Sequence, residues 1–316
     1  MNSIVASLSR PAKKPISRKA KQWTLGMLLI ASLCLGISEF HHWDERFYFY
    51  VKSQLNADAW SGKSIWLPDY EVYIDAKPVK GIEQNLSAIV YDYDQDRLLG
   101  IINGPAELVA LSKTGEVTGK YPLEGFGDIE GLAYMGDGRV VVVDERTQQL
   151  SFFKLPATPQ AINFADAQYL SLGINLNGNK GFEGITYDAA NDRLFIVKER
   201  SPRQLYEISG VGASFGQRMQ IQIRDLTSWI DDKVFATDLS DIYFDPKTNH
   251  LVILSDESKL LVEMTDKGEI VSFRTFVGWL SDLKKSAPQP EGVTLDKNGN
   301  LYVVSEPNLF YAFRKN

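Results

Sequence analysis

Beyond about residue 66 the chain is written in short alternations of apolar and polar residues, and one composite pattern returns five times. Each copy opens on a small or acidic residue followed by Gly or another small residue. Alternating apolar positions then lead through a Tyr or Phe into a turn rich in Asp, Asn and Gly, and a Val, Ile or Leu run ending near an acid closes the unit. The copies are LSAIVYDYDQDRLLGIIN from Leu86, IEGLAYMGDGRVVVVDE from Ile129, FEGITYDAANDRLFIVKE from Phe182, LSDIYFDPKTNHLVILSD from Leu239 and PEGVTLDKNGNLYVVSE from Pro290. Period-two alternation bounded by such turns predicts pairs of β-strands, because successive side chains of a strand face opposite ways.

A third apolar stretch follows the first four pairs (ELVALS, QLSFFKL, QLYEIS, LLVEMT), and fourth strands such as VTGKYPL or VSFRTFV come next. The second residues of the copies, Ser87, Glu130, Glu183, Ser240 and Glu291, are 43, 53, 57 and 51 positions apart. Units of this length made of short strands indicate β-propeller blades of four strands. A parallel solenoid needs shorter repeats, and βαβ units need helical periods that are missing. The last copy ends after Leu309–Phe313 without a fourth strand, which Tyr70-Glu-Val-Tyr-Ile-Asp75, ahead of the first copy, alternates correctly to supply. Such a closure removes free sheet edges. The expected fold is an all-β propeller of five blades, or six if the longest interval hides a degenerate one, preceded by a transmembrane helix.

One run breaks the pattern. Trp23 to Phe40 carries no charge before Glu39, and at a rise of about 1.5 Å per residue it nearly spans a hydrocarbon core of about 30 Å. Arg10, Lys13, Lys14, Arg18, Lys19 and Lys21 all precede that first acid, which assigns the N-terminus to the cytoplasm, and Trp23 and Trp43 stand where interfacial anchors belong. A cleaved signal peptide has the same charge order but needs an Ala-x-Ala-like site, and none is evident after Ile37. A lipoprotein signal wants a small residue before Cys34, where Leu33 stands; a buried core helix is the remaining alternative. The expected organisation is a basic cytoplasmic tail over 1–22, a transmembrane signal-anchor over 23–40, a juxtamembrane linker over 41–66 that reads as a stalk or short helix, and the propeller over 67–316. This places a single-pass protein in a bacterial inner membrane with its propeller in the periplasm. Cys34, the only cysteine, lies inside the anchor, so the exported part has no disulfide.

Charge then narrows the chemistry. The net charge of −6 conceals those six basic residues of the tail; without them 28 basic side chains face 40 acidic ones, a balance of −12. Such a body repels phosphate backbones, which argues against nucleic acid, and suits cations. In a propeller the first strand of each blade lines the central channel and the second runs antiparallel beside it, so the start of one and the end of the other meet at one rim. The starts are Ser87, Glu130, Glu183, Ser240 and Glu291; the ends are Asn103, Glu145, Glu199, Asp256 and Glu306. Seven of these ten are carboxylates, and carboxylates crowded at a narrow mouth repel one another unless protons or a cation neutralise them. Oxygen ligands alone favour Ca²⁺, then Mg²⁺ or Mn²⁺. Zinc is disfavoured because His41 and His42 flank the membrane and His250 sits in a turn, all three reading as structural or solvated.

The plainer alternative is that the Glu of each Glu-Gly pair binds neighbouring backbone N–H groups where strands splay, with Gly131, Gly184 and Gly292 permitting close blade packing. Repetition of the acids at both ends of most hairpins favours the cation. Arg146 and Arg200, each following an acid, either pair with the rim or hold an anionic ligand beside the metal. Asp92, Asp94, Asp137, Asp188 and Asp296 read as turn formers on the opposite rim, and GINLNGNKG from Gly173 as a connection between blades. No Gly-x-Ser-x-Gly elbow, His-Glu-x-x-His or phosphate loop is present, so triad hydrolases, zincins and nucleotide enzymes are poor candidates.

The segments DIEGLAY, KGFEGITYD and PQPEGVTLDKNGNLYVVSE resemble the SdiA-regulated family of exported β-propellers, over roughly Asp69 to Asn316. That resemblance implies a propeller of the broad NHL and TolB-like kind. The Glu-Gly-hydrophobic pattern is also similar to phytase-like and esterase-like propellers, in which a metal at the channel mouth supports phosphoester or lactone hydrolysis. Carried over, this implies metal ligands at Glu130, Glu183, Glu291, Glu145, Glu199 and Glu306, with Asp256 nearby; Ser87 and Ser240 depart from the pattern, so full symmetry is not expected. The leading expectation is a membrane-anchored propeller holding calcium and, through it, an anionic small molecule or an envelope protein. A metal-dependent hydrolase and a non-catalytic scaffold are the competing readings.

Overall fold

A computed structural model describes Met27 and residues 43–231 and 233–315. The expected membrane segment, apart from Met27, lies outside the described residues, and no helix among those described is long and apolar enough to cross a membrane. The linker is helical: α1 spans Trp43–Trp60, free of Gly and Pro, and stops just before Gly62, whose φ of 68° continues no helix. The Phe49 ring stacks on Phe235 at 5.0 Å, and Trp60 meets His250 edge-on at 5.6 Å.

The remainder is five antiparallel blades. The last strand to be completed is the first in sequence, β1 (Tyr70–Pro78). Blade 1 comprises β2 (Leu86–Asp92), β3 (Arg97–Asn103), β4 (Ala106–Leu111) and β5 (Val117–Glu124). Blade 2 comprises β6 (Ile129–Gly136), β7 (Arg139–Asp144), β8 (Gln149–Lys154) and β10 (Gln168–Ser171); between the last two, β9 (Ile162–Asn163) adds a short parallel edge to β5. Blade 3 comprises β11 (Phe182–Asp188), β12 (Arg193–Lys198), β13 (Gln204–Ser209) and β14 (Gln222–Asp225). Blade 4 comprises β15 (Asp241–Asp245), β16 (His250–Ser255), β17 (Leu260–Met264) and β18 (Ile270–Thr275). Blade 5 comprises β19 (Gln289–Leu295), β20 (Leu301–Glu306) and β21 (Leu309–Lys315), and β1 pairs with β21 as its outer strand.

Among the described residues there is no sixth blade. The longest interval is filled instead by two short 3₁₀ turns, Gly212–Ser214 and Thr227–Trp229, around β14. The ring closure expected from the Tyr70 strand is present, with Tyr70 opposite Lys315 and Pro78 opposite Leu309.

The core lies in the seams between blades, and the strands show why their sequences look as they do. A middle strand buries both of its faces, so it reads as a continuous apolar run rather than an alternation. In β7, Val140 and Val142 pack into the seam with blade 1, whereas Val141 and Val143 pack into the seam with blade 3. β12 repeats this, with Leu194 and Ile196 facing blade 2 and Phe195 and Val197 facing blade 4. Each seam carries its own buried cluster, and the inner strands β2, β6, β11, β15 and β19 stand side by side around the channel.

Close approach of those inner strands decides the Gly of each Glu-Gly pair. A Cβ on Gly131 would lie 2.2 Å from the Glu183 carbonyl oxygen of the next blade, and one on Gly184 would lie 2.4 Å from the Asp241 Cα. Only a residue without a side chain fits. Blade 4 departs from the pattern with Ser240-Asp241: its Asp241 carboxylate is buried and accepts from the Val293 N–H at 2.8 Å, linking blades 4 and 5.

Candidate functional site at the channel mouth

The acid that precedes each Gly is aimed by a break in strand pairing. The register between first and second strands shifts across Leu86/Ala88, Ile129/Gly131, Phe182/Ile185 and Pro290/Gly292, so Ser87, Glu130, Glu183 and Glu291 occupy equivalent irregularities in four blades. A bulge turns its extra residue out of the ladder, and here it frees that side chain to face the mouth. In blade 4 Ser240 stands just before β15.

The result is a concave cavity of about 380 Å³ at one rim. Nine of the ten positions expected there line it: Glu130, Glu183, Ser240, Glu291, Asn103, Glu145, Glu199, Asp256 and Glu306. Ser87 is not in the lining; it is buried and its hydroxyl donates to the Asn85 carbonyl oxygen at 3.2 Å. Arg200 lines the cavity, ion-paired with Glu199 at 2.9 Å and with Glu257. Arg146 does not: it points outward, largely exposed, and donates to Asp128 at 2.5 Å. His250 opens β16, where it is buried and shares a hydrogen bond of 2.7 Å with Glu263, so it is structural and not solvated.

Sequence reasoning missed Asn179, Asp238, Glu257 and Gln289. Asp238 and Gln289 each stand one position before a copy of the repeated motif and were hidden by the choice of where a copy begins. Asn179 belongs to the Asn/Gly-rich loop, which is therefore more than a connection: the Gly181 N–H donates to the buried Glu145 carboxylate at 3.1 Å. A Cβ on Gly181 would lie 1.8 Å from the Glu145 carbonyl oxygen, which is why that loop ends on Gly.

The acids are not equivalent. Asp238 accepts from Ser255 and from the Asp256 and Glu257 N–H groups, each of the latter at 3.2 Å, and Asp256 accepts from Lys259 at 2.7 Å. Glu130 accepts from the Asn103 amide and is pushed up to about 7 by burial, which that hydrogen bond opposes and the charges of Asp128 and Glu145 reinforce. Burial also pushes Glu199 up to about 7, against the pull of Arg200. Glu183 is held well above the usual carboxylate range by burial and then by Glu130, Glu145, Glu291 and Glu199. Glu291 is raised likewise, by burial followed by Asp256 and Glu306. Burial lowers the ammonium of Lys198, which is fully enclosed behind the rim and donates to the Arg200 carbonyl oxygen at 3.0 Å.

Two triads stand out. Asp128, Glu130 and Glu145 each bring a carboxylate oxygen within 4.8 Å of the others, and so do Glu145, Glu183 and Glu199. Oxygens bound to one calcium at about 2.3–2.6 Å lie no more than about 5 Å apart, so either triad has the spacing for a shared ion. Glu145 belongs to both.

Similar folds occur among solved structures. A luciferin-regenerating enzyme is 9% identical with a TM-score of 0.49, covering 77% of this chain and 95% of its own. A streptogramin B lyase is 10% identical with a TM-score of 0.46, covering 80% and 100%. The virginiamycin B lyase of Staphylococcus aureus is 14% identical with a TM-score of 0.41, covering 75% and 68%. The family model described as SdiA-regulated matches residues 62–314, nearly the whole propeller, and the chain belongs to the SdiA-regulated family.

Proposed function

We propose that the channel mouth binds a divalent cation, calcium by the chemistry of its donors, and through it a small anionic molecule. The observation that carries this reading is the pair of carboxylate triads joined at Glu145. The lining supplies oxygen donors without Cys or His, which suits a hard cation. A cavity of about 380 Å³ exceeds what one ion needs; at about 30 Å³ per water it has room for roughly ten water-sized groups beside the ion. Arg200, Asn103 and Asn179 offer donors to an anionic group there. The basic tail and apolar segment tether this mouth to a bacterial inner membrane on its periplasmic side, where a small molecule or an envelope protein is the partner.

Calorimetric titration of calcium into the full chain in detergent, beside a Glu130→Gln/Glu183→Gln double variant, tests the reading. Wild-type binding weakened at least about tenfold by the double substitution is expected, because one ligand is neutralised in each triad. Absence of wild-type binding at millimolar calcium sinks it. In a catalytic version a metal held by one triad would polarise a phosphoryl or carbonyl oxygen, and a neighbouring Glu of the lining outside that triad would serve as general base. Calcium-dependent turnover in a panel of phosphoesters and lactones, lost in the same double variant, supports it; no turnover leaves a binding protein.

A further inference from the structure

We propose that Arg200 is a tethered counter-ion of the mouth, competing with the cation for Glu199 and Glu257 and turning, once displaced, to hold the anionic group of the ligand. The inference rests on the reading of the mouth as a cation site. Among the described residues Arg200 is the only Lys or Arg that lines the cavity. One of its partners, Glu199, at 2.9 Å, belongs to the triad with Glu145 and Glu183, so a cation there and the guanidinium claim the same carboxylate.

The pairing with Glu199 is one of charge without a fitted hydrogen bond, and Glu257 accepts from Nη1 alone. The Arg200 Nε lies near Glu199 and is enclosed, yet has no hydrogen-bond partner, so its N–H is not aimed at the oxygen beside it. Arg193 shows the fitted arrangement at the other end of the same strand, giving Asp188 two bonds of 3.0 and 2.7 Å. An arginine held without its fork satisfied is easily exchanged for a better partner. Its backbone is fixed by the bond from Lys198 Nζ to its carbonyl oxygen, so relocation needs only the side chain, 39% of which is exposed. A freed guanidinium at the wall then offers its fork to a phosphate or carboxylate. By linkage, cation and anion strengthen each other's binding by one common factor.

Calcium and inorganic phosphate are titrated into the full chain in detergent, each alone and each with the other saturating, for wild type, Arg200→Gln and Arg200→Lys. R200Q is expected to bind calcium about tenfold more tightly, having lost a competing charge, and to lose the enhancement of phosphate binding by calcium. R200K is expected to keep calcium affinity within about twofold of wild type while weakening calcium-assisted phosphate binding, because an ammonium lacks the bidentate fork. R200K also tests the idea on its own if R200Q does not melt cooperatively like wild type. Calcium affinity in a folded R200Q equal to or weaker than wild type, or phosphate coupling intact in both variants, overturns the role of Arg200 alone. No calcium binding by any of the three overturns the cation site as well.

Discussion

The two ends of the channel are built from the same strands and the same residue type, and they treat their carboxylates in opposite ways. At the hairpin-turn end the first strands of blades 1, 3, 4 and 5 finish on, or just before, a buried Asp whose donors come largely from its own turn. Asp92 accepts from the Asp94 and Gln95 N–H groups, each at 3.1 Å, and from Arg97 at 2.9 Å. Asp188 accepts from the Ala190 and Asn191 N–H groups at 3.0 and 3.3 Å and from Arg193. Asp296 accepts from the Asn298 and Asn300 N–H groups at 2.9 and 3.0 Å. At the mouth, Glu130 has the Asn103 side chain, and Glu183 lies against Glu145, another acid. Local backbone saturates one set and leaves the other crowded. A carboxylate answered by its own turn is architecture; one answered mainly by other carboxylates needs something from outside.

The sharpest way to break this contrast is to delete one acid at each end. Asp188→Ala strands two N–H groups and leaves Arg193 with Glu207 alone, and is expected to cost about 3 kcal/mol in urea unfolding. Glu183→Gln at the mouth removes a charge from a repelling set and is expected to stabilise the cation-free protein by about 1 kcal/mol at pH 8. A loss of stability of similar size in both variants would show that the two ends do not differ in kind.

Titration sharpens it further. Glu130 and Glu199 have folded-state values near 7, above the 4.5 expected for an unfolded Glu. Between those limits the folded protein binds protons that the unfolded chain does not, so stability falls as pH rises from about 4.5 to 7. With allowance for screening by channel water, each group contributes about 1 kcal/mol to that loss. In EDTA the urea midpoint is expected to fall over this range, and calcium is expected to flatten the fall. A midpoint insensitive to pH in EDTA would mean that the mouth acids carry no such strain.

How much of this was legible follows from the same contrast. Strand pairing, five blades and ring closure were readable because Val140–Val143 and its sister runs can bury both faces only between two blades. The rim acids were readable because they repeat at fixed places relative to the hairpin. Asp238, Glu257 and Asn179 were not, since they lie in connections whose path depends on contacts between blades, such as the Leu239 N–H donating to the Glu199 carbonyl oxygen at 3.1 Å. The bulge that aims Glu130, Glu183 and Glu291 was also invisible, because alternation reads the same whether or not the partner strand slips a residue.

Arg146 gives the smallest effect and the finest test of what separates a rim residue from a mouth residue. Like Arg200 it directly follows an acid of the set, and sequence treats the two alike. The structure turns it outward onto Asp128, with 62% of its side chain exposed, while Asp128 presents its carboxylate to the first triad. An ion pair so exposed contributes little to stability, and water screens its charge from the cavity. Arg146→Gln is therefore expected to leave the urea midpoint unchanged and to alter calcium affinity by no more than about twofold, an effect that 0.5 M salt erases. A change as large as that expected for Arg200→Gln would instead place the cation nearer Asp128 than Glu199, and would shift the centre of the site from the second triad to the first.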